Sequence, residues 1–290
     1  LLVLSSEIEE IIVKGEYREK SLGEEDSSIA VIQSEQIKSQ AIKHFQQLSH
    51  LVPNLNYAAS DSRARYFQIR GIGERSGYQG TPNSSVGFLI DDIDYSGQGG
   101  IATLFDVDQV EVFRGPQGSR SGANALAGLI YIKTKDPTEK FEGTSELTLG
   151  DYGTQNIGVA FGGQMQNKKL KYRLVLRTDY ADGFRKNIYL NKSDTSKKDE
   201  LTLRYKLNWE LNETTNLDFL VSKVDMDDPA DIWTIDGSLN TLSDRPGMDS
   251  QNTNSYGIKI TKDFSNFTVQ SLTSATKTDV IFSYDADWGN

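Results

Sequence analysis

The sequence contains no cysteine and only two histidines, His44 and His50. The absence of cysteine excludes disulfides, thiolate metal sites and cysteine nucleophiles. Two histidines, both on a predicted helix, leave little material for a Ser-His-Asp triad or a multi-histidine metal centre. We therefore expect a protein that is not an enzyme and that holds no metal and no cofactor.

The sequence also lacks an excess of positive charge and a long apolar run. Its formal net charge is -10, whereas phosphate backbones are bound by clustered lysines and arginines, so we expect no nucleic-acid partner. No apolar run approaches the roughly 18 residues that a membrane-crossing helix needs. If the protein resides in a membrane, it must do so as a closed β-barrel, because only helices and barrels satisfy their backbone polar groups in lipid.

Three zones follow one another along the 290 residues. Residues 7–23 are polar and charged, apart from the β-branched island Ile11-Ile12-Val13. Residues 24–137 combine short apolar runs with one helical pattern and glycine-rich loops, whereas residues 138–290 consist of long alternating stretches separated by polar turns. Leu1–Ser6 reads equally as the tail of a secretory signal or as an arbitrary edge, and both ends of the sequence are expected to be cut.

The middle zone predicts a small α/β or α+β unit with a mixed sheet. Ile29–Ile32 is typical of a buried strand, Ser34 stands where an N-cap is expected, and Pro53 is expected to end the helix between them. The apolar stripe of that helix comprises Ile37, Ala41, Phe45, Leu48 and Leu51. Further strands are predicted at residues 66–69, 86–93, 110–113 and 129–133.

The last zone alternates strictly between apolar and polar residues. The clearest stretch, residues 200–211, places leucine, tyrosine and tryptophan on one face and charged or polar residues on the other. About seven such strands are predicted, and their short turns alternate with longer connections at residues 182–197 and 225–250. This arrangement is typical of an outer-membrane barrel; a soluble β-sandwich, which also alternates, is the alternative.

Four short motifs of the middle zone carry a resemblance to a known family. They are Val52–Leu55, Gln68–Gly73, Phe88–Ile93 and the stretch Val110–Lys135, which begins V-E-V-F-R-G-P-Q-G and ends I-Y-I-K-T-K. In this order they resemble the plug signature of TonB-dependent outer-membrane receptors. Asp92 stands where that family usually has glycine, so the turn of its hairpin is expected to be shaped differently.

The resemblance implies an α+β plug domain with a small mixed sheet at residues 24–137, preceded by an N-terminal tether at residues 1–23. Residues 138–290 are then the first antiparallel transmembrane β-strands of an incomplete 22-stranded barrel. About 150 residues cannot supply 22 strands of roughly 10 residues each. We therefore expect a fragment of a longer receptor in the outer membrane of a Gram-negative bacterium.

By the same resemblance, the complete receptor imports a scarce, bulky ligand across the outer membrane. A ferric siderophore is the first expectation, and cobalamin, haem or a glycan are the others. The expected partners are a TonB-type energy-transducing protein, the ligand and outer-membrane lipid. Two alternatives stay open: a soluble or surface binding protein, adhesive or not, with a β-sandwich half, and a receptor that binds its ligand without transporting it.

The tether contains a segment, residues 8–13, that resembles the TonB box. Glu10, Ile11, Ile12 and Val13 are therefore expected to bind the energy-transducing protein, because a disordered β-prone tether can add as a strand to a partner's sheet. The alternative is an ordinary first strand of the plug.

Two arginines are implied to lock the plug inside the barrel. Arg70 and Arg114 each precede a glycine at a strand end, and the family pattern pairs them with wall carboxylates, which here would lie beyond Asn290. Asp91, Asp92 and Asp94 are interpreted as solvated carboxylates at a hairpin end, and not as a cation site, because adjacent strand residues point to opposite faces.

Ligand contacts are expected in three outward plug loops, at residues 57–66, 73–82 and 95–100. The residues assigned to ligand contact are Arg63, Arg65, Tyr78, Gln79, Tyr95 and Gln98. Tyrosine, arginine and glutamine side chains suit an oxygen-rich, often anionic chelate.

Overall fold

The computed structural model describes residues 10–59, 62–76, 83–166 and 168–289. In these ranges the chain forms two parts that pack against each other. We call residues 10–137 the plug, and we call the seven-stranded sheet that follows the wall. None of the helices in the described ranges is both long and apolar enough to span a membrane.

The plug contains short strands, two short α-helices and 3-10 turns. The strands are β1 (Ile12–Val13), β2 (Lys20–Ser21), β3 (Ile29–Gln33), β4 (Leu55–Ala59), β5 (Ala64–Ile69), β6 (Val86–Ile90), β7 (Ile93–Asp94), β8 (Val107–Phe113) and β9 (Gly128–Thr134). The helices are α1 (Ser34–Ser39) and α2 (Gly118–Ser121), with 3-10 turns at Leu22–Glu24, Phe45–Leu51 and Gly99–Ile101. Five strands form one sheet in the order β3-β8-β9-β6-β7, and only β6 and β9 run parallel. The plug thus has the small mixed sheet that the sequence predicts.

The prediction of one continuous helix between Ser34 and Pro53 is wrong, because the helix is interrupted. The α1 helix ends at Ser39, Ala41 has a φ of 52°, and helical structure resumes only at Phe45–Leu51. The interruption brings the chain beside a neighbouring segment, where Phe45 N donates to Ala102 O at 3.0 Å. A tertiary backbone pairing therefore overrides a helical periodicity that the sequence carries on both sides.

The start of α1 also differs by one residue from the expectation. Ser34, predicted as the N-cap, is the first helical residue, and Gln33 occupies the cap position without a side-chain cap bond. Ser34 Oγ donates instead to the Glu35 carboxylate at 2.8 Å.

The hairpin between β6 and β7 keeps a tight turn although Asp92 stands in place of glycine. Asp91 and Asp92 have φ values of 48° and 70°, and two positive φ values in succession are characteristic of a type I′ hairpin turn. Aspartate tolerates this left-handed region better than most residues with a Cβ. The turn is therefore a regular two-residue turn.

The core of the plug is centred on three phenylalanine rings. Phe67 and Phe88 stack with centroids 5.4 Å apart, and Phe45 meets them edge-on at 5.0 and 5.4 Å. Offset-stacked and edge-to-face pairs are the preferred aromatic geometries, because they bring a ring's positive edge to another ring's negative face. All three rings are buried, so they join the 3-10 turn, β5 and β6 into one unit.

The wall consists of seven antiparallel strands, each hydrogen-bonded to the next. With two short loop strands included, its elements are β10 (Glu142–Leu149), β11 (Gln155–Gln164), β12 (Leu170–Ala181), β13 (Lys186–Asn187), β14 (Lys198–Asn212), β15 (Thr215–Ala230), β16 (Asn240–Thr241), β17 (Gly247–Asp263) and β18 (Thr268–Ser283). The predicted connection at residues 225–250 is wrong in its bounds, because β15 and β17 continue pairing up to Ala230 and Gly247. The sheet is open, so the closure and the count of 22 strands stay predictions.

The two faces of the wall differ as the alternation predicts. Arg204 and Lys206 of β14 are 6% and 7% exposed against the plug, whereas Leu203, which directly precedes them, is 37% exposed on the other face. The same pattern holds on β17, where Ser255 is buried and Tyr256 is 55% exposed. The polar face therefore covers the plug, and the apolar face is turned outward.

Candidate functional site

The surface where the plug meets the wall is the candidate functional site. It extends from the loop end of the wall, where the long connections lie, towards the turn end, where the short turns lie. Along β14, Lys198 contacts the plug near the loop end and Lys206 contacts it nearer the turn end. A single strand thus reaches the plug at several levels, because alternate residues of a strand point to one face.

At the loop end, two arginines of the plug pair with the wall. Arg63 donates from Nε and Nη2 to the carboxylate of Glu200 at 2.6 and 2.9 Å. Arg65 pairs with Asp249, and their side chains are 5% and 1% exposed. Bidentate and buried charge-assisted pairs are strong and geometrically specific, so these contacts fix the level of β5 against the wall.

Ser62 extends the same contact by one step. Its backbone N–H donates to Asp249 at 3.1 Å, and its hydroxyl group lies between Lys198 and Asp228. Lys198 Nζ also donates to Asp228 at 3.0 Å. The wall therefore binds the plug backbone here as well as its side chains.

Between the two ends, Asp106 receives two arginines of the wall. Arg173 Nε donates to its carboxylate at 2.7 Å. Arg204 lies 3.9 Å from the same carboxylate and donates to the carbonyl oxygen of Phe105 at 3.2 Å. Asp106 has a φ of 59°, so the turn before β8 presents this carboxylate in a conformation that few residues other than glycine, asparagine and aspartate adopt readily.

Nearer the turn end, Asp91 joins the plug to Lys206. Lys206 Nζ donates to Asp91 at 2.9 Å, to Asp136 at 3.1 Å and to the carbonyl oxygen of Thr134 at 3.1 Å. Burial acts to raise the pKa of Asp91, but Lys206 and Lys133 outweigh it and hold that pKa below its ordinary value. The interpretation of Asp91 as a solvated carboxylate is therefore wrong, because its side chain is only 6% exposed.

A cavity of about 420 Å³ adjoins this cluster, between the plug and the wall. Its ionisable lining comprises Lys14, Glu19, Asp91, Asp92, Lys133, Asp136, Lys171, Lys206, Asp218 and Lys259. Lysines and carboxylates are equal in number in this lining, so the cavity favours neither anions nor cations. It is a polar gap along the interface.

Two buried groups at the loop end are held by the plug's own fold or by the wall. His44 Nε2 lies 2.9 Å from Gly100 O, and His44 Nδ1 accepts a hydrogen bond from Gln46 N at 3.3 Å. Burial and the nearby Arg63 lower the pKa of His44 well below its usual value. His44 is therefore a neutral ring that anchors the loop at residues 98–100. Burial raises the pKa of Tyr95 to about 12, although a hydrogen bond with Ser255 of the wall acts to lower it.

The residues predicted to face a ligand are found mostly in this interface. Arg63 and Arg65 are engaged in the ion pairs described above, and Tyr95 is 2% exposed. Gln98 accepts a hydrogen bond from Thr278 of the wall at 2.6 Å. Ligand contact by these residues stays a prediction, and it now requires them to leave wall partners. Tyr78 and Gln79 lie outside the described residues.

The two arginines predicted to lock the plug make no ion pair among the described residues. Arg70 is exposed and has a φ of 54°, and Arg114 is half-buried with its Nε enclosed and without a hydrogen-bond partner in the described ranges. Their pairing with a more distant part of the wall stays a prediction.

The predicted tether is ordered where the structure describes it. Ile12 and Val13 pair with Ser21 and Lys20, and Val13 is fully buried. Glu10 is exposed and Ile11 is half-buried. The expectation of a disordered segment is therefore wrong from residue 12 onward, because a hairpin docks it on the plug; residues 8 and 9 lie outside the described ranges.

At the loop end of the wall, two long connections are tied together by one carboxylate. Asp231 accepts from Asn187 Nδ2 at 3.0 Å, from Thr241 Oγ1 at 2.9 Å and from Ser243 Oγ at 2.8 Å. All four side chains are buried, and β13 pairs with β16 in parallel beside them. The two connections therefore form one unit at the loop end of the wall.

The sequence reasoning missed the wall-facing plug carboxylates and their partners. Asp106 and Asp91 both have positive φ at tight turns. An aspartate in a turn can be predicted from sequence, but the residue that its carboxylate pairs with cannot. Glu200 stands on the polar face of a predicted strand and Asp249 lies in a predicted connection, and their partners are 137 and 184 residues away. Among the described residues, no group of three or more His, Cys, Asp or Glu is arranged to hold a metal ion.

Comparison with known proteins agrees with this architecture. Residues 21–129 match the family described as the TonB-dependent receptor plug domain. The vitamin B12 transporter of Vibrio vulnificus is 25% identical over 158 residues, which cover 50% of this chain and 26% of that protein. The pesticin receptor of Yersinia pestis is 24% identical over 174 residues, which cover 60% of this chain and 25% of that protein.

Solved structures show the same fold. The ferric yersiniabactin uptake receptor of Yersinia pestis superposes with a TM-score of 0.78 at 19% identity, over 90% of this chain and 42% of that chain. The siderophore receptor PiuA of Acinetobacter baumannii gives a TM-score of 0.70 at 17% identity, over 91% of this chain and 38% of that one. The chain spans about a quarter of the length of the vitamin B12 transporter and of the pesticin receptor.

Three findings agree on one family. They are the plug sheet, the family match at residues 21–129 and the antiparallel wall packed against the plug. That family consists of transport receptors and not of enzymes. Residues 21–129 therefore match the plug domain of the TonB-dependent receptors, and the chain as a whole shares the fold of the solved receptors.

Proposed function

We propose that the full-length protein imports a scarce, bulky ligand across the outer membrane of a Gram-negative bacterium, with energy from a TonB-type protein. The observation that carries this proposal is the interface itself. A folded plug is bound by ion pairs to the polar face of a sheet whose other face is apolar. A plug held in this way closes a pore that must open for transport.

The apolar outer face supports a location in lipid. Strands with an apolar outward face and a polar inward face are characteristic of transmembrane barrels, and only a closed barrel leaves no unpaired edge in the bilayer. We propose that further strands close this sheet into a 22-stranded barrel around the plug. The domain boundaries at residues 23 and 137 belong to the same proposal.

A ferric siderophore is the ligand class we propose first. The relatives include a ferripyoverdine receptor of Pseudomonas aeruginosa, 25% identical over 130 residues, and the solved receptors named above for ferric yersiniabactin and a siderophore. The vitamin B12 transporter makes cobalamin the second candidate. The residues proposed to contact the ligand are Arg63, Arg65, Tyr78, Gln79, Tyr95 and Gln98.

Arg70 and Arg114 are proposed to complete the lock. The enclosed Nε of Arg114 has no partner among the described residues, and a buried guanidinium normally has one. Arg114→Glu in the full-length protein should therefore loosen the plug and make cells more permeable to large solutes. The exposed Arg18→Glu serves as the matched control, and equal permeability of the two variants would remove the lock role.

The import proposal is tested by deleting residues 8–13 from the full-length receptor. The outer membrane has no ATP supply, so energy must arrive by mechanical coupling, and Glu10 to Val13 are proposed to bind the TonB-type protein by strand addition. We expect uptake of radiolabelled ferric siderophore to be lost while binding to intact cells persists. Arg18→Ala, an exposed change in the same zone, should leave both unchanged.

Two results would count against import. Unchanged uptake in the deletion variant would show that residues 8–13 are not needed for energy coupling. Binding without uptake in the unmodified receptor, for every siderophore and for cobalamin, would favour a receptor that binds but does not transport.

A further inference from the structure

Two cavities follow one another between the plug and the wall. The larger is the gap of about 420 Å³ described above, and the smaller, of about 20 Å³, has room for about one water molecule. Strand β15 lines both cavities with consecutive residues of its inward face. Asn216 and Asp218 border the larger cavity, Ser222 and Val224 border the smaller one, and Leu220 borders both. The cavities therefore lie on one line along β15.

Strand β14 repeats this order beside β15. Lys206 borders the larger cavity, and Arg204 borders the smaller one. Lys206 pairs with Leu220 in the strand register, so the boundary between the cavities falls at the same level on both strands. Strand β17 continues that level with Gly257, which pairs with Leu220. We call Lys206, Leu220 and Gly257 the boundary row.

The hairpin between β6 and β7 reaches the boundary row from the plug. Asp91 borders both cavities and accepts a hydrogen bond from Lys206 Nζ at 2.9 Å. Ile93 is buried, and a Cβ on Gly257 would lie 3.2 Å from Ile93 Cδ1, so the hairpin touches the wall where the wall has no side chain. Leu220 packs against the apolar cluster that contains Ile93. One ion pair and one apolar contact thus separate the two cavities.

The far sides of the two cavities differ. The larger cavity extends to Lys171 and Asn216, which stand next to the first residues of β12 and β15 at the turn end. Beyond the smaller cavity, towards the loop end, Val224 and Met226 are buried in the apolar cluster of the plug. The boundary row is therefore the closure that lies nearer to the turn end, and apolar packing forms the closure nearer to the loop end.

We propose that the boundary row and the hairpin residues Asp91 and Ile93 form a gate, and that its opening joins the two cavities into one polar passage along β14 and β15. This inference rests on the proposed function and deepens it, because it assigns the place where the plug opens towards the turn end. Strand β7 is the edge strand of the plug sheet, so the hairpin can shift without breaking the pairs among β3, β8 and β9. Lysines and carboxylates are equal in number in the larger cavity, so the passage admits polar solutes of either charge.

The first test uses introduced cysteines, because residues 1–290 contain none. In the purified full-length receptor, freed of any other cysteine, Asn216→Cys reports the larger cavity and Ser222→Cys reports the smaller one. A small charged thiosulfonate reagent should modify Asn216→Cys at least about tenfold faster than Ser222→Cys, because the gate must open before the reagent reaches the smaller cavity. Leu220→Ala removes the apolar contact of the gate and should raise the rate at Ser222→Cys by a similar factor. Equal rates at the two cysteines in the receptor with Leu220 intact would overturn the gate.

Two controls separate the gate from a general loosening of the plug. Val221→Ala changes the next residue, which is 43% exposed on the outward face, and should leave Ser222→Cys slow. Thr253→Cys is buried on β17 outside the lining of both cavities and should stay slow in Leu220→Ala. An equal rise at Thr253→Cys, or no rise at Ser222→Cys, would overturn the gate. If Leu220→Ala does not fold, Lys206→Met removes the ion pair and carries the same expectations.

The second test holds the gate shut in cells. Ile93→Cys together with Gly257→Cys should form a disulfide on oxidation, because the hairpin and the wall touch there. We expect uptake of radiolabelled ferric siderophore to be lost on oxidation and to return on reduction, while the two single variants import in both conditions. Failure of the disulfide to form, or full uptake by the cross-linked receptor, would overturn the gate and leave import intact. The first test needs neither ligand nor TonB-type protein, so absence of uptake in the unmodified receptor would contradict the proposed function alone.

Discussion

The plug's own core and its interface with the wall are held by different forces. The core is apolar and aromatic, with Phe45, Phe67 and Phe88 packed at preferred angles, whereas the interface relies largely on ion pairs such as those of Arg65 and Lys206. Apolar packing depends little on direction, whereas buried ion pairs need defined geometry and fail when one partner leaves. The difference suits a plug that keeps its fold while its attachment changes.

The division is not complete. Val224 and Met226 of β15 are buried and belong to the same apolar cluster as the plug core. The wall therefore adds an apolar contact next to the ion pairs, and the predictions below separate the two contributions.

The largest effect is expected from a hole in the plug core. Phe88→Ala should lower the free energy of unfolding of the plug by about 4 kcal/mol, because it removes a buried ring and leaves a cavity. Urea denaturation of the full-length receptor, followed by hydrogen exchange in residues 24–137, measures this loss. Leu126→Ala, at a side chain that is 68% exposed, is the control and should have little effect. A small loss in Phe88→Ala would mean that the wall, and not the core, holds the plug together.

A somewhat smaller effect is expected at the loop end of the interface. Arg65→Leu should cost about 3 kcal/mol, because it leaves the buried carboxylate of Asp249 without its cation. The double variant Arg65→Leu with Asp249→Leu should recover much of this loss, since neither charge is then stranded. Hydrogen exchange in β5 is the readout. If the double variant is as unstable as Arg65→Leu, then Arg65 and Asp249 stabilise the fold by more than the pairing of their charges.

The interface should respond to acid while the core does not. The pKa of Asp91 is held below its ordinary value, so its pairing stabilises the fold fully above the unfolded pKa of about 3.9 and loses that contribution as the pH falls through the lower, folded pKa. Lys206→Met removes the cation that lowers this pKa most, so Asp91 is protonated at higher pH and the loss of stability on acidification becomes smaller.

A pH series of hydrogen exchange around Asp91 tests this expectation. Lys206→Arg is the control, because it keeps the positive charge. Identical acid sensitivity of the Met and Arg variants would show that Lys206 does not set the pKa of Asp91.

The smallest effect is expected where the ion pair is partly exposed. Lys259 lies 3.7 Å from Asp92 and is 34% exposed, so Lys259→Ala should cost less than about 1 kcal/mol, and 0.5 M salt should remove most of that difference. Thermal unfolding at two salt concentrations measures it. A loss as large as that of Arg65→Leu would show that exposure does not separate weak pairs from strong ones here.

The sequence predicted the elements of this fold better than the contacts between them. The polar and apolar faces of β14 follow from alternation alone, and the V-E-V-F-R-G-P strand is β8 of the plug sheet. The helix break at Ala41 was not predicted, because it depends on backbone pairing with Ala102. The pairs Arg65–Asp249 and Lys206–Asp91 were missed because periodicity shows which face a residue occupies and not what lies opposite it.

The contrast between the apolar plug core and the ionic interface is tested most directly by measuring cell permeability. The cells carry the full-length receptor with three changes together: Glu200→Gln, Asp249→Asn and Lys206→Met. These changes remove ion pairs at both ends of the interface and leave the aromatic core intact. Our account predicts that a glycopeptide antibiotic too large for general porins enters these cells, while hydrogen exchange shows the three phenylalanines still protected. Unchanged permeability at equal receptor levels would contradict the claim that ion pairs hold the plug in the wall.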